Sequence, residues 1–223
     1  MHVRLNAVHK YYESPAGPVK VLENVTLHIP SGAFVSLMGP SGSGKTTLLN
    51  LIGCLDSPTF GQVILEDRDV ANANETTRER IRLRHIGFVF QNYNLLPTLT
   101  VFENVILPMQ LASLRRSERD ERAVMLLKAV GLDQRANQPV NSLSGGQQQR
   151  VAIARALANL PRLILADEPS GNLDGRATKE VMQVLKSIND TQKVTVVLVT
   201  HDPAVAAYAE QVYYLEGGRL ATG

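Results

Sequence analysis

The sequence predicts an α/β protein: a mainly parallel sheet core covered by helices, with an antiparallel β part at the N-terminal end and an inserted α-helical lobe. Three observations carry this expectation. Short apolar runs of strand length, AFVSLM at 33–38, LILA at 163–166 and VTVVLV at 194–199, recur along the chain. From residue 147 onward helix, strand, helix and strand alternate, the order of a parallel sheet whose crossovers are helices. The middle third carries helical spacing instead. With 223 residues and 44% apolar content the chain can bury a full core. It is expected to form one unit, 1–223, with the main part at about 1–95 and 147–223 and the lobe at about 96–146.

The elements follow in order. Polar and apolar residues alternate at 2–8 and 21–29 around the breaker-rich ESPAGP at 13–18, which reads as antiparallel strands and a turn. AFVSLM is a short buried strand, followed by a glycine-rich loop and by KTTLLNLIG, whose apolar spacing is helical. Two further short strands are expected at 62–65 and 86–90. VFENVILPMQLA and the charge-dense SERDERAVMLLKAVGL form the helical lobe, and the mixed charge run at 115–122 reads as a solvated helix face. A helix to residue 159, a strand at 163–166, a helix at 178–188 and a strand at 194–199 complete the sheet.

Composition excludes several function classes. The 23 Lys+Arg against 21 Asp+Glu leave a net charge of +2, too balanced to argue for nucleic acid or an anionic membrane surface. The apolar runs fall far short of the roughly 20 residues that span a bilayer. The opening MHVRLNAVHK carries polar and basic residues where a secretory signal has its apolar core, so a cytoplasmic protein is expected. Cys54, the single cysteine, can form no internal disulfide and lies in the apolar stretch LLNLIGCL, which reads as a buried thiol.

The chemistry is carried first by GPSGSGKT at 39–46, which fits G-x-x-x-x-G-K-[ST] between a strand and a helix. Gly39, Gly42 and Gly44, with Pro40, Ser41 and Ser43, give a loop whose backbone N–H groups can surround phosphate oxygens, and the helix that follows turns its positive end toward them. Lys45 adds a full charge for the β- and γ-phosphates of ATP, Thr46 offers a hydroxyl to Mg²⁺, and Thr47 continues the phosphate contact. A plain glycine turn would explain neither Lys45 nor Thr46. A second element, LILADEP at 163–169, ends a buried strand in two acids: Asp167 suits Mg²⁺, and Glu168 suits the general base that activates water. Pro169 is expected to bias Glu168 away from the helical region and keep the chain extended there.

Between these two lies NSLSGGQQQR at 141–150. Its LSGGQ resembles the hallmark pentapeptide of ABC ATPases. Physically, Ser144, Gly145 and Gly146 opening a helix at Gln147 make a second anion site, although an ordinary helix start capped by Ser144 fits the same residues. The resemblance implies the P-loop NTPase fold of the ABC ATPases and a head-to-tail homodimer, each signature serving the ATP on the other copy's P-loop. It further implies that Gln91, in FVFQNYNLLP, is the Q-loop glutamine that senses Mg²⁺ and attacking water, and that His201, in LVTHDP, is the switch histidine of the γ-phosphate. Asp174, in SGNLD, resembles the D-loop aspartate that links the two sites, with Asn172 where many relatives carry a small residue. Tyr12 aligns with the aromatic that stacks on adenine, and Tyr11 is the alternative.

Within the family, GPSGSGKTTLLNLIGCLD, IGFVFQ, LSGGQQQRVAIARALA and LADEPSGNLD look most like the lipoprotein-releasing and macrolide-exporting branch (LolD-like and MacB-like). The resemblance implies a motor subunit that hydrolyses ATP and drives a separate integral-membrane permease, peripheral on the inner face of the membrane and without nucleic acid. The permease contact is expected at 91–97 and the lobe, where Leu95 and Leu96 serve either docking or internal packing. Two other readings stay open. One is a membrane-associated regulator that transmits force without moving a solute. The other is a soluble ATPase of ribosomes or DNA, against which the single unit and the absence of sustained heptads argue.

Overall fold

The computed structural model describes residues 1–15 and 17–222. The expected turn at 13–18 therefore includes one residue, Ala16, that lies outside the described residues. The first sheet is antiparallel, in the order β2-β1-β4-β5, from β1 (Val3–Tyr12), β2 (Val19–Ile29), β4 (Phe60–Leu65) and β5 (Arg68–Asp69). Alternation explains it in stretches: Val3 and Leu5 of β1 and Val25, Leu27 and Ile29 of β2 are buried between more exposed neighbours, and register shifts after Leu5 and after Val8 carry the buried face on to Val8 and Leu22.

The second sheet runs β10-β9-β3-β8-β7-β6, from β3 (Phe34–Met38), β6 (Ile86–Phe90), β7 (Leu163–Asp167), β8 (Thr195–Val199), β9 (Gln211–Glu216) and β10 (Arg219–Thr222). Every neighbouring pair is parallel except β9 and β10. β3 and β8 are buried at every position, as continuous apolar runs require when both faces of a parallel sheet are covered. One face packs with α1 (Lys45–Ile52) against the first sheet, joining Val35, Leu37, Leu165 and Val197 to Leu48, Leu49 and Leu5 in one core. On the other face Phe34, Ile164, Val196 and Leu198 meet α5 (Gly145–Leu157), α6 (Gly175–Gln192) and the short α7 (Pro203–Ala206).

The lobe consists of α3 (Val101–Leu111) and α4 (Arg116–Ala129) packed on α5, with Val105, Met109, Leu127, Val151 and Ala154 at its centre. α3 opens on a capping box between Thr100 and Glu103, which typically stabilises a helix start by about 1 kcal/mol. α5 contributes to two cores, Ile153 and Leu157 facing the sheet and Val151 and Ala154 facing the lobe, so this single helix fixes the lobe to the sheet.

Two parts depart from the sequence expectation. The segment before β6 is α2 (Glu75–His85), which buries only Ile81 and therefore has no apolar stripe to read. Its signals are at its ends: Asn74 caps it, Glu75 opens it, and Arg82, Arg84 and His85 occupy its last turn. The chain also continues past β8 into the β9–β10 hairpin, whose Gly217 and Gly218 both take positive φ at the turn.

Candidate functional site

Strand register assembles the site. Phe90 pairs with Asp167, Asp167 with Val199, and Val199 with Leu37, so four strand ends finish in one row. The residues that follow them, Gln91, Glu168, His201 and the loop at 39–44, project from the carboxyl edge of the sheet, where open α/β sheets place their ligands. Together with Ser41, Gly42, Gly44, Lys45, Thr46, Thr47 and Asp167 they line a cavity of about 580 Å³.

The loop before α1 has its shape for identifiable reasons. Gly39 has φ +151, and a Cβ there would lie 2.1 Å from the carbonyl oxygen of Leu215, so the loop rests on a strand of the C-terminal hairpin that admits no side chain. Gly44, at φ +100, occupies the cap position of α1, and no side chain accepts a hydrogen bond from that helix end. The first N–H groups of α1 are thus left without a side-chain cap where Gly44 to Thr47 line the cavity, the arrangement an anion site requires. Lys45 is buried, and its ammonium donates to the carbonyls of Gly39 at 2.8 Å and Pro40 at 2.7 Å. Ser43, within the loop, keeps its hydroxyl buried and unpartnered among the described residues.

Two hard oxygen donors meet beside it, for Thr46 Oγ1 lies 3.1 Å from Asp167 Oδ2. Burial is the first cause that raises the Asp167 carboxyl above its ordinary range, and the neighbouring Glu168 charge adds to it, while Thr46 and Lys45 oppose. A divalent cation fits this pair: hydroxyl and carboxylate are the donors Mg²⁺ prefers, next to a helix end suited to phosphate. Glu168 follows, its Oε1 2.8 Å from His201 Nδ1. The expectation that the chain stays extended at Glu168 is corrected by its φ of +46. The clash with Pro169 disfavours the right-handed helical region, and a turn closed from Gly171 N–H to the Glu168 carbonyl takes the left-handed one instead. Asp202 caps α7 and Pro203 opens it, as the sequence expects.

The other candidates lie outside this cavity. Ser144 caps α5, with Gln147 Oε1 accepting from Ser144 N–H at 3.0 Å, so this segment is at once a capping box and an exposed helix start. Cβ atoms on Gly145 and Gly146 would crowd the Tyr93 hydroxyl and Ala177, each at 2.8 Å, which seats the signature against the start of α6. Asp174 caps α6 by accepting from Ala177 N–H. Tyr12 closes β1 with its hydroxyl bonded to Asp56 at 2.8 Å, and it also touches Thr47; Tyr11 turns instead toward His9 and Phe60.

Several residues around the site were not singled out by sequence reasoning. Gln149, fully buried, donates to the carbonyls of Pro169 and Phe90 and so ties α5 to the ends of both strands. Arg155 holds the carbonyl of Tyr93 at 2.8 Å. Lys10 and Asp56, 2.6 Å apart, support Tyr12. A buried amide or guanidinium gives no periodic signal, and only the loop carbonyls it meets reveal its purpose.

The family model for ABC transporters matches residues 22–171. The chain belongs to the ABC transporter family. It is 48% identical to the uncharacterized ABC transporter ATP-binding protein MJ0796 of Methanocaldococcus jannaschii, over 98% of this chain and 94% of that protein. It is 44% identical to the uncharacterized ABC transporter ATP-binding protein YvrO of Bacillus subtilis, over 97% of this chain and 94% of YvrO. The macrolide export ATP-binding/permease protein MacB of Syntrophobacter fumaroxidans is 46% identical over 97% of this chain, which spans only 30% of MacB. Among solved structures, dimeric MJ0796 in a post-hydrolysis state bound to ADP and Pi superposes with a TM-score of 0.90 at 46% identity, covering 99% of this chain and 98% of that one. This ABC cassette is an ATPase, with ATP and Mg²⁺ as its substrate and accompanying ion. Among the described residues no helix is long and apolar enough to cross a membrane.

Proposed function

We propose that this ABC cassette is the motor of a permease complex on the inner face of a membrane, in which two copies close head to tail on two ATP and reopen after hydrolysis. The observation that carries the dimer is separation: the cavity with Lys45, Glu168 and His201 contains none of Ser144 to Gln147 from the same chain. A signature helix with an anion-binding start and no phosphate site of its own needs a second copy. The dimeric MJ0796 structure supports this reading.

The N–H groups at the start of α1 and the Lys45 ammonium bind the β- and γ-phosphates, with Lys45 released from the Gly39 and Pro40 carbonyls. Thr46 and Asp167 hold the cation, with Gln91 as a further oxygen donor. When bound, Mg²⁺ neutralises charge on the phosphates and on the leaving group. Glu168 takes the proton of the attacking water, His201 contacts the γ-phosphate, and Tyr12 stacks on adenine.

The permease contact is a groove of about 720 Å³ between sheet and lobe, lined by Leu55, Phe88, Phe90, Pro108, Leu111 and Arg155. Leu55 and Leu111 are exposed at its rim, apolar surface of the kind that marks an interaction site. Of the two leucines of the loop, Leu95 packs into the lobe core while Leu96 is exposed. MacB, whose name joins an ATP-binding part to a permease, supports the export branch. The test is to purify the Glu168→Gln chain with Mg·ATP from solubilised membranes of its own cell. An integral membrane protein in stoichiometric amount is expected, whereas recovery of ribosomes, DNA or soluble protein alone would overturn the transport reading.

A further inference from the structure

Asn172 lies in the turn between β7 and α6, and its amide is held at both ends. Its Nδ2 donates to the backbone carbonyl of Gln91 at 3.2 Å and to Asn92 Oδ1 at 3.0 Å. Its Oδ1 accepts from Gln91 Nε2 at 3.1 Å. A backbone carbonyl can only accept, so the first contact decides which end of the Asn172 amide meets the main chain. That leaves Oδ1 facing the Gln91 side chain. Oδ1 likewise only accepts, so Gln91 must turn its Nε2 toward Asn172, and its Oε1 is left without a hydrogen bond among the described residues. Gln91 lines the cavity that contains Thr46, Asp167 and Glu168. Gly171 completes the seat, because a Cβ there would lie 2.7 Å from Gln91 Nε2 and 3.0 Å from its Cδ. The glutamine therefore lies flat on the backbone of the turn.

We propose that Asn172 is a positioning residue that fixes the orientation of the Gln91 amide, so that an oxygen and not an NH₂ group is offered to the cation. The consequence is chemical. Mg²⁺ takes oxygen ligands, and an amide rotated by half a turn presents two N–H donors that repel it. An unrestrained glutamine samples both orientations, whereas the three hydrogen bonds of Asn172 select one. A small residue at 172 has no group that makes this selection. The inference rests on the reading of Gln91 as a cation-sensing residue.

The test is steady-state ATP hydrolysis by the purified chain as Mg²⁺ is titrated, for wild type, Asn172→Ala, Gln91→Ala, the double variant and Gly171→Ala. Asn172→Ala should raise the Mg²⁺ concentration for half-maximal turnover by roughly three- to tenfold, the size of one lost hydrogen bond, with metal-free nucleotide affinity unchanged. The double variant should resemble Gln91→Ala alone, because Asn172 acts only through Gln91. Gly171→Ala should shift the Mg²⁺ requirement in the same direction, since the added methyl displaces the flexible end of Gln91 and leaves the groups of Asn172 intact. Additive losses in the double variant, or wild-type Mg²⁺ dependence in both Asn172→Ala and Gly171→Ala, overturn the proposal. Wild-type Mg²⁺ dependence in Gln91→Ala removes the assignment of Gln91 itself, and this inference with it.

Discussion

His201 Nδ1 lies 2.8 Å from Glu168 Oε1, joining the residues that follow two adjacent parallel strands. The histidine side chain is 70% exposed and the carboxylate only 17%, so the exposed partner is the one free to move. On the proposed roles, a γ-phosphate entering the cavity would compete with Glu168 for the imidazole and free the carboxylate for water. Glu168→Gln keeps the hydrogen-bonding shape and removes the carboxylate proposed as the base. ATP binding should persist while turnover falls by about 10²- to 10⁴-fold, the usual contribution of a general base, and the protein should collect as a closed dimer in size-exclusion chromatography with Mg·ATP. Near-normal turnover would remove Glu168 from the role.

Lys45 gives a different signature. Its ammonium is buried against two carbonyls, and the residue is the first of α1. A hydrogen bond to a charged group is worth about 1.5–3 kcal/mol, so Lys45→Ala should weaken nucleotide binding by roughly 10- to 100-fold. Titration with a fluorescent ATP analogue measures this directly. An unchanged affinity would contradict the phosphate role.

What the sequence made legible here is what repeats or what is adjacent. β3, β7 and β8 are short runs that are mainly apolar, and the P-loop, the two acids and LSGGQ are contiguous strings whose spacing the chain itself sets. α2 escaped because a helix burying one side chain has no stripe, and the β9–β10 hairpin needed its paired glycines to be taken as a turn. Within the site the unread part is the support. Asn172 meets Gln91 across 81 positions, and Gln149 meets Phe90 across 59. Such contacts exist only after the strands have paired, so no local pattern encodes them. The bend at Glu168 belongs to the same class, since the turn closed on Gly171 decides it.

Tyr12 and Tyr11 are neighbours in sequence and can be separated by experiment. Tyr12 is held by Asp56, which is itself paired with Lys10, and the Lys10 ammonium lies 4.7 Å from the Tyr12 ring centre. Burial pushes the Asp56 carboxyl up, but hydrogen bonds from Lys10, Tyr12 and the Ser57 N–H outweigh it and hold the group below its ordinary range. It therefore stays ionised throughout neutral pH. Base stacking is worth about 1–3 kcal/mol, so Tyr12→Ala should raise KM for ATP by roughly 5- to 100-fold with kcat little changed. Tyr11→Ala should leave KM near wild type. A larger effect at Tyr11 would reverse the assignment.

Cys54 follows α1, buried to 1% exposure in the core between the two sheets, with φ +57. Burial pushes its thiol up to about 11, and the positive charges of Arg82 and Arg78 only partly oppose this. Thiolate is the reactive form, so at pH 8 a fraction on the order of 10⁻³ is available even before access is considered. The native protein should resist alkylation by iodoacetamide at pH 8 and react fully once denatured, with mass spectrometry counting the adduct. Because the folded value lies above that of the unfolded chain, the contribution of this group to stability is complete below about pH 8.5 and is lost as pH rises toward 11. Thermal melts at pH 8 and pH 10 should therefore differ more for the native chain than for Cys54→Ala. Rapid stoichiometric labelling of the folded protein would mean that the end of α1, and with it the helix that presents Lys45 and Thr46, opens far more often than its burial implies.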